Sequence, residues 1–383
     1  MFSAISKFFV ILFSFTSEGA QFVFGPLAKS PDVTGSIGFI FAFQVLPTII
    51  FFASLMGILY YLGIMQRVVQ GIAWVMAWLL KTSGAESLCV AANTFIGQTE
   101  APLVIRPYIA SMTESELHTI MTSGMAHIAG GVLAAYMQIL GIAYAKSHGI
   151  AVDVSQVYFA GHLLAASIMA APATMVIAKI LSPETSDPLT MGTVKLKIEK
   201  THSNVIEAAA AGAGDGVRLA MNVAGMLIAF IALIALLNFI LTFVGDVTGL
   251  SAICQTNFGK PLSLELIFGL IFQFVAFTIG VPWKDSLNVG SLMGLKLVLN
   301  EFVAYLRMAD MISANQLSQK AIIIATYSLC GFANFSSIAI QIGGISPLAE
   351  NRRGDIARLG LKAVLGGTIA TWMTASIAGI LAN

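Results

Sequence analysis

The chain reads as an all-α polytopic membrane protein with two re-entrant helical hairpins and two interrupted transmembrane helices. Three observations predict this. Of its 383 residues, 57% are hydrophobic and only 10% charged, with a mean hydropathy of +0.87, whereas soluble domains carry about 25% charged residues. Several apolar runs reach the roughly 20 residues that a helix needs to cross a bilayer. Two runs of about half that length, Leu88 to Ile96 and Leu103 to Ala110, flank the polar string Gly97-Gln98-Thr99-Glu100-Ala101-Pro102. Two short helices meeting at a polar tip make a hairpin that turns at membrane depth, where irregular backbone is tolerated only inside protein or beside a water-filled cavity. A carboxylate there is expensive, which makes Glu100 a functional candidate. An extramembrane loop between two amphipathic helices is the other reading of the same spacing.

The first stretch, Phe2 to Leu27, is apolar but broken by Ser17, Glu18 and Gly19, too interrupted for a span. Lys7 followed by Phe8 to Phe15 has the outline of a signal peptide without a clean cleavage site, so the segment is expected to stay in the mature protein. Pro31-Asp32 marks a turn. Ile37 to Ile64 is long enough to span, Arg67 closes it, and Gly71 to Leu80 is a shorter amphipathic piece ending at Lys81. After the hairpin, Thr113 and Glu116 have the spacing of a capping box and start a helix running to about Ala145. Its middle, Gly124 to Gly131, is rich in small residues and carries His127. Such a run can unwind and offer carbonyls to a cation, or simply pack closely.

Val157 to Leu181 is the next span, ended by Pro183. The polar loop from Pro183 to Ser203 carries Lys195, Lys197 and Lys200. Asn204 to Ala211 reads as an interfacial helix before a span from Leu219 to Val244, followed by a polar loop from Gln255 to Lys260. Leu264 to Ile279 is apolar but short. Gly280-Val281-Pro282-Trp283-Lys284-Asp285 is a second polar break, and the half-helix after it contains Asn300-Glu301-Phe302. Ala321 to Ile345 is a span interrupted at Gly331 to Ser337, Pro347 to Asp355 a loop, and Leu359 to Leu381 the last span. A broken hairpin with a glutamate, followed by a helix with a glycine-rich or polar middle, thus occurs twice. Paired broken segments in two halves are the sequence pointer to a transporter binding site.

The basic clusters at Lys195, Lys197 and Lys200 and at Arg352, Arg353 and Arg358 fall on the cytoplasmic side by the positive-inside rule. The final helix then ends outside. A net charge of +1 argues against nucleic acid as a partner. Cys89, Cys254 and Cys330 stand singly, with neither a disulfide framework nor metal-ligand spacing, and no cofactor is indicated.

The string from Gly97 to Leu103 with Pro107-Tyr108, and Met112-Thr113 followed by Ser115-Glu116-Leu117-His118, closely resembles the first hairpin of the concentrative nucleoside transporters. Gly280-Val281-Pro282-Trp283, Lys296 and Asn300-Glu301-Phe302-Val303-Ala304-Tyr305 resemble the family's second signature, and Cys330 to Ser337 its third. The resemblance, that of a bacterial member, runs from about Gly19 to the C-terminus. It implies inverted repeats and a homotrimer at the bacterial inner membrane, with membrane lipid around it. It also implies a scaffold and an elevator-type transport domain, with residues 1–64 and 183–262 (scaffold helices, loop and interfacial helix) set against residues 65–182 and 263–383. The N-terminal part is expected to be shorter than in bacterial members. The implied activity is import of nucleosides such as uridine, cytidine and adenosine, driven by a sodium or proton gradient.

The residue chemistry suits that substrate. Gln98 offers donors and acceptors to a base, Thr99 a hydroxyl and Glu100 an acceptor. Glu301 would accept the ribose hydroxyls, with Asn334 and Ser337 adding hydrogen bonds, and Phe332 and Val132 would pack against the flat base. Read alone, Phe332 and Ser337 are packing residues; an ion pair with Lys284 or Lys296 is the lesser alternative for Glu301. By position, the family's cation site falls on Asn93, Ile96, His127 and Ile128, the two isoleucines through their carbonyls. His127 stands where a small hydroxyl residue is common in sodium-coupled members, and histidine titrates near pH 6.5, so both sodium and proton coupling stay open. Trp283 reads as interfacial or packing, and His118 and His162 have no constellation. A membrane-embedded hydrolase using Glu100 and Glu301 lacks any HExxH, GxSxG or metal cluster, and a passive nucleoside channel is the remaining rival.

Overall fold

The computed structural model describes residues 2–29, 36–38, 40–192 and 202–382. Pro31, Asp32, Lys195, Lys197 and Lys200 lie outside the described residues. Among the described residues there is no strand, and seventeen α-helices follow one another. The first half holds α1 (Phe2–Phe24), α2 (Phe41–Gln44), α3 (Leu46–Tyr61), α4 (Ile64–Leu80), α5 (Gly84–Asn93), α6 (Arg106–Ile109), α7 (Glu114–Ala126), α8 (Gly130–His148) and α9 (Val152–Leu181). The second holds α10 (Val205–Thr248), α11 (Leu250–Phe258), α12 (Leu264–Thr278), α13 (Trp283–Val298), α14 (Glu301–Ser313), α15 (Gln319–Leu329), α16 (Phe335–Ile345) and α17 (Arg353–Leu381). Among the described residues, Phe41–Tyr61, Glu114–His148, Val152–Leu181, Val205–Thr248 and Glu350–Leu381 are long and apolar enough to cross a membrane.

Side-chain caps decide most helix starts, by satisfying amides that have no partner inside the helix. Ser83 with Glu86, and Thr113 with Glu116, form complete capping boxes at α5 and α7. Asn204, Ser263, Asn300, Ser318 and Asn334 each accept from the amide three residues on.

The long apolar stretches differ from their sequence outlines in instructive ways. Residues Phe2–Phe24 form one helix despite Ser17, Glu18 and Gly19. Asn204 to Ala211 is no separate interfacial helix, because α10 runs unbroken for 44 residues. Gly212 and Gly216 lie on a packing surface of this helix. A side chain at Gly212 would lie 2.5 Å from the Ala53 carbonyl, and one at Gly216 2.7 Å from Ile50 Cα, so α3 and α10 approach backbone to backbone. Gln255 falls inside α11 rather than in a loop.

The hairpins also differ. Around Glu100 the first limb is α5, but the second is a five-residue 3-10 helix, Ala101–Ile105, and the single turn α6, each opened by a proline. Proline suits a helix start and forbids a longer one across it. In the second half, α12 and α13 meet at a 119° bend over residues 279–282, where Gly280 takes φ +104, a conformation glycine adopts without strain. Glu301 is not inside the half-helix after that bend. The helix ends at Val298, and Asn300 caps a new one, α14, with Glu301 in its first position.

Both interrupted helices are present. The first breaks at His127, Ile128 and Ala129 between α7 and α8. The second breaks from Cys330 to Asn334 between α15 and α16, so Phe335, Ser336 and Ser337 belong to the resumed helix.

Candidate functional site

The two breaks meet. A side chain at Gly331 would stand 2.8 Å from the Ala126 carbonyl, so only glycine lets one unwound segment cross the other at this distance. Phe332 N–H donates to the His127 carbonyl at 3.3 Å, and Gly130 N–H at the start of α8 donates to the Phe95 carbonyl in the first hairpin tip at 3.1 Å. The backbone groups freed by unwinding therefore find partners across elements rather than within them, as low-dielectric burial demands.

A continuous hydrogen-bonded chain runs through this junction. Gln341 Nε2 donates to Gln98 Oε1 at 3.2 Å, and Gln98 Nε2 donates to Ser337 Oγ at 3.2 Å. Ser337 N–H donates to Asn334 Oδ1 at 2.9 Å, and Asn334 Nδ2 donates to Glu301 Oε2 at 3.3 Å. Tyr136 Oη completes the chain, donating to Glu301 Oε1 at 2.8 Å. It joins the first hairpin tip, α16, the second break, α14 and α8. One end presents an amide with both donors and acceptors, the other a carboxylate only 4% exposed. Phe332, half-buried, lies in the same break, and Val132 sits one turn before Tyr136 on the same face of α8.

Glu100 and Thr99 stand outside this chain. The Glu100 carboxylate folds back on its own tip and accepts from Gly97 N–H at 2.7 Å. The Thr99 methyl packs on Gly344, where an added Cβ would lie 2.6 Å from it. Glu301 forms no ion pair with either lysine: Lys284 is exposed, and Lys296 Nζ donates to the Ser328 carbonyl and to Thr371 Oγ1. Trp283 packs on Phe274 and Phe277.

A second group of polar atoms lies where α5 ends and α7 breaks. Asn93 Nδ2 donates to Ser123 Oγ at 3.1 Å, which leaves the buried Asn93 Oδ1 without a partner. His127, 2% exposed, has Nδ1 2.9 Å from the Ser123 carbonyl. Nδ1 also lies 3.3 Å from Ser123 Oγ; in the neutral tautomer that donates Nδ1–H to the carbonyl, Nε2, which has no partner among the described residues, carries the lone pair. The carbonyls of Ile96 and Ile128 receive no backbone N–H among the described residues. Asn93 Oδ1 and His127 Nε2 are thus buried side-chain atoms left without a partner among the described residues. Among the described residues no group of three or more His, Cys, Asp and Glu side chains forms a metal site.

Sequence reasoning missed Tyr136, Ser123 and Gln341. Each lies four residues from a residue it did single out, Val132, His127 and Ser337 respectively, so helical spacing was the available signal.

Comparison with known proteins bears on this geometry. A family model described as "Na+ dependent nucleoside transporter C-terminus" matches residues 162–379, and one described as "Nucleoside recognition" matches residues 42–143. The uncharacterized transporter YutK of Bacillus subtilis is 47% identical over 371 residues, spanning 97% of this chain and 84% of that protein. Sodium/nucleoside cotransporter 1 of Mus musculus is 41% identical over 97% of this chain and 54% of its own length. The structure of CNTnw in an inward-facing substrate-bound state superposes with a TM-score of 0.86 at 42% identity, covering 100% of this chain and 86% of that one.

Proposed function

The chain belongs to the concentrative nucleoside transporter family, a family of nucleoside transporters and not of enzymes, and we propose that it is a symporter importing nucleosides on a sodium gradient. The observation that carries this reading is the hydrogen-bond chain from Gln341 to Tyr136. A nucleoside has a flat base with an edge of donors and acceptors and a sugar with vicinal hydroxyls. The Gln98 end matches the base edge, the Glu301 end matches the hydroxyls, and Phe332 offers the aromatic surface. On this reading Gln98, Asn334 and Ser337 bind directly, Val132 and Phe332 pack on the base, and Glu100 and Thr99 shape the tip that holds Gln98.

For the coupling ion, sodium is favoured by the sodium-dependent family and by the oxygens of Asn93, Ile96 and Ile128, since a hard cation prefers oxygen. His127 would complete that set as a neutral ligand. The scaffold of this reading is α1 to α3 with α10, and the hairpins and interrupted helices form the body that moves against it as an elevator. A homotrimer and a bacterial inner-membrane location complete the proposal. The exposed apolar residues of α10, among them Ile228, Phe239 and Phe243, supply a surface for lipid or neighbouring subunits. For orientation, the start of α17 lies beside that of α7 through Arg358 and Glu114, and Ser115 of α7 reaches Ser182 at the end of α9. Basic residues at this shared end favour the cytoplasm, which puts the C-terminus outside.

Two measurements test the reading. Proteoliposomes with an inward sodium gradient are expected to accumulate labelled uridine or adenosine above the outside concentration. Equilibration without accumulation would make the protein a passive channel. Gln98→Ala is expected to weaken binding roughly 10- to 100-fold, because a buried polar group loses its partner, and to change the ratio of purine to pyrimidine uptake. An equal loss for every base would instead assign Gln98 to holding the tip against Ser337 and Gln341.

A further inference from the structure

Lys296 is 3% exposed, and none of the described carboxylates pairs with it. Its Nζ donates to the Ser328 carbonyl at 2.8 Å and to Thr371 Oγ1 at 3.2 Å. Thr371 spends its own hydroxyl proton on the Thr368 carbonyl, so both contacts of the lysine are to acceptors.

Ser328 is in the last turn of α15, the helix that stops at the second break. The last four carbonyls of a helix have no partner inside it, and here each one is accounted for. Tyr327 O accepts from Cys330 N–H at 3.1 Å and Leu329 O from Gly331 N–H at 2.9 Å, both within the turn. Thr326 O accepts from Tyr305 Oη at 2.7 Å, and Ser328 O from Lys296. The two outside donors come from the two limbs around Glu301: Lys296 from α13 and Tyr305 from α14. A cation at this position also meets the negative end of the α15 dipole.

We propose that Lys296, together with Tyr305, is a positioning residue for ribose recognition, clamping the broken end of α15 onto the α13–α14 junction that carries Glu301. The break that follows Ser328 delivers Asn334 to Glu301, so the clamp sets the spacing across which sugar hydroxyls reach the carboxylate. Among the described residues Glu301 is the acidic member of the hydrogen-bonded chain, and the buried ammonium supplies the opposite charge without consuming its oxygens, which go to Tyr136 and Asn334. The proposal rests on the reading that Glu301 binds the sugar.

The test compares binding of uridine and 2′,3′-dideoxyuridine to the purified full-length protein. Wild type is expected to prefer uridine. Lys296→Met is expected to lose about tenfold in uridine affinity while dideoxyuridine changes by no more than about twofold, and Tyr305→Phe to shift the ratio the same way by about threefold. A Lys296→Met protein that keeps the wild-type ratio, or loses both ligands equally, overturns the proposal. Should that variant fail to fold, an unchanged ratio in Tyr305→Phe overturns it alone. A wild type that does not distinguish the two ligands overturns the ribose reading itself, and this proposal with it.

Discussion

Glu301→Gln is expected to weaken uridine binding and uptake by roughly 10- to 100-fold, the largest effect of any conservative change in the junction. Hydrogen bonds to a charged group contribute about 1.5–3 kcal/mol and neutral ones about 1 kcal/mol, so losing the charge removes most of the advantage of two or more ribose contacts. The substitution is nearly isosteric and can keep the local fold. A glutamine Oε1 can accept from Asn334 Nδ2 while its Nε2 donates to Tyr136 Oη, replacing both bonds Glu301 now makes. Loss of binding in a protein of unchanged melting temperature would therefore report on substrate rather than packing. 2′,3′-Dideoxyuridine, without the hydroxyls, should be affected less. Calorimetric binding of uridine by the glutamine variant at wild-type affinity would remove Glu301 from the sugar site.

The membrane class and the order of broken elements were legible because both rest on strong local signals: apolar length, proline and glycine. The capping box at Thr113 and Glu116 was equally readable and is present. What failed to show was the break at Asn300. No glycine or proline marks it, and an asparagine N-cap inside an otherwise helical pattern is a weak sign, so α13 and α14 looked like one half-helix. Asn204 to Ala211 looked like a helix of its own, whereas α10 continues through Gly212 and Gly216, which let it pack closely on α3. Glycine alone does not distinguish an unwound helix from an intimate one. In the site, Gln98, Asn334, Ser337 and Glu301 were named from the chain, but their partners Gln341 and Tyr136 were not. Those two sit on different helices from the residues they hold, so the four-residue spacing from Val132 and Ser337 could mark their helix face but not the partner each one meets.

The second large effect concerns the ion. Wild-type protein is expected to take up uridine under an inward sodium gradient at equal pH, and not under a pH gradient without sodium. Asn93→Ala should raise the sodium concentration needed for half-maximal uptake by tenfold or more, roughly the loss of 1.4 kcal/mol of ion binding. Its Oδ1 is a buried acceptor with no other partner, whereas its Nδ2 is already committed to Ser123. His127→Ser should act in the other direction. It replaces a nitrogen lone pair by a hydroxyl oxygen on the same unwound turn, and a hard cation gains from that exchange. Half-saturation by sodium is then expected to fall, with uridine affinity at saturating sodium unchanged, because His127 touches Ser123 rather than Gln98 or Glu301. The contrary result is equally clear. If wild type concentrates uridine on a pH gradient without sodium and His127→Ser abolishes that drive, the lone pair on Nε2 is a proton acceptor, and protons rather than sodium power this carrier.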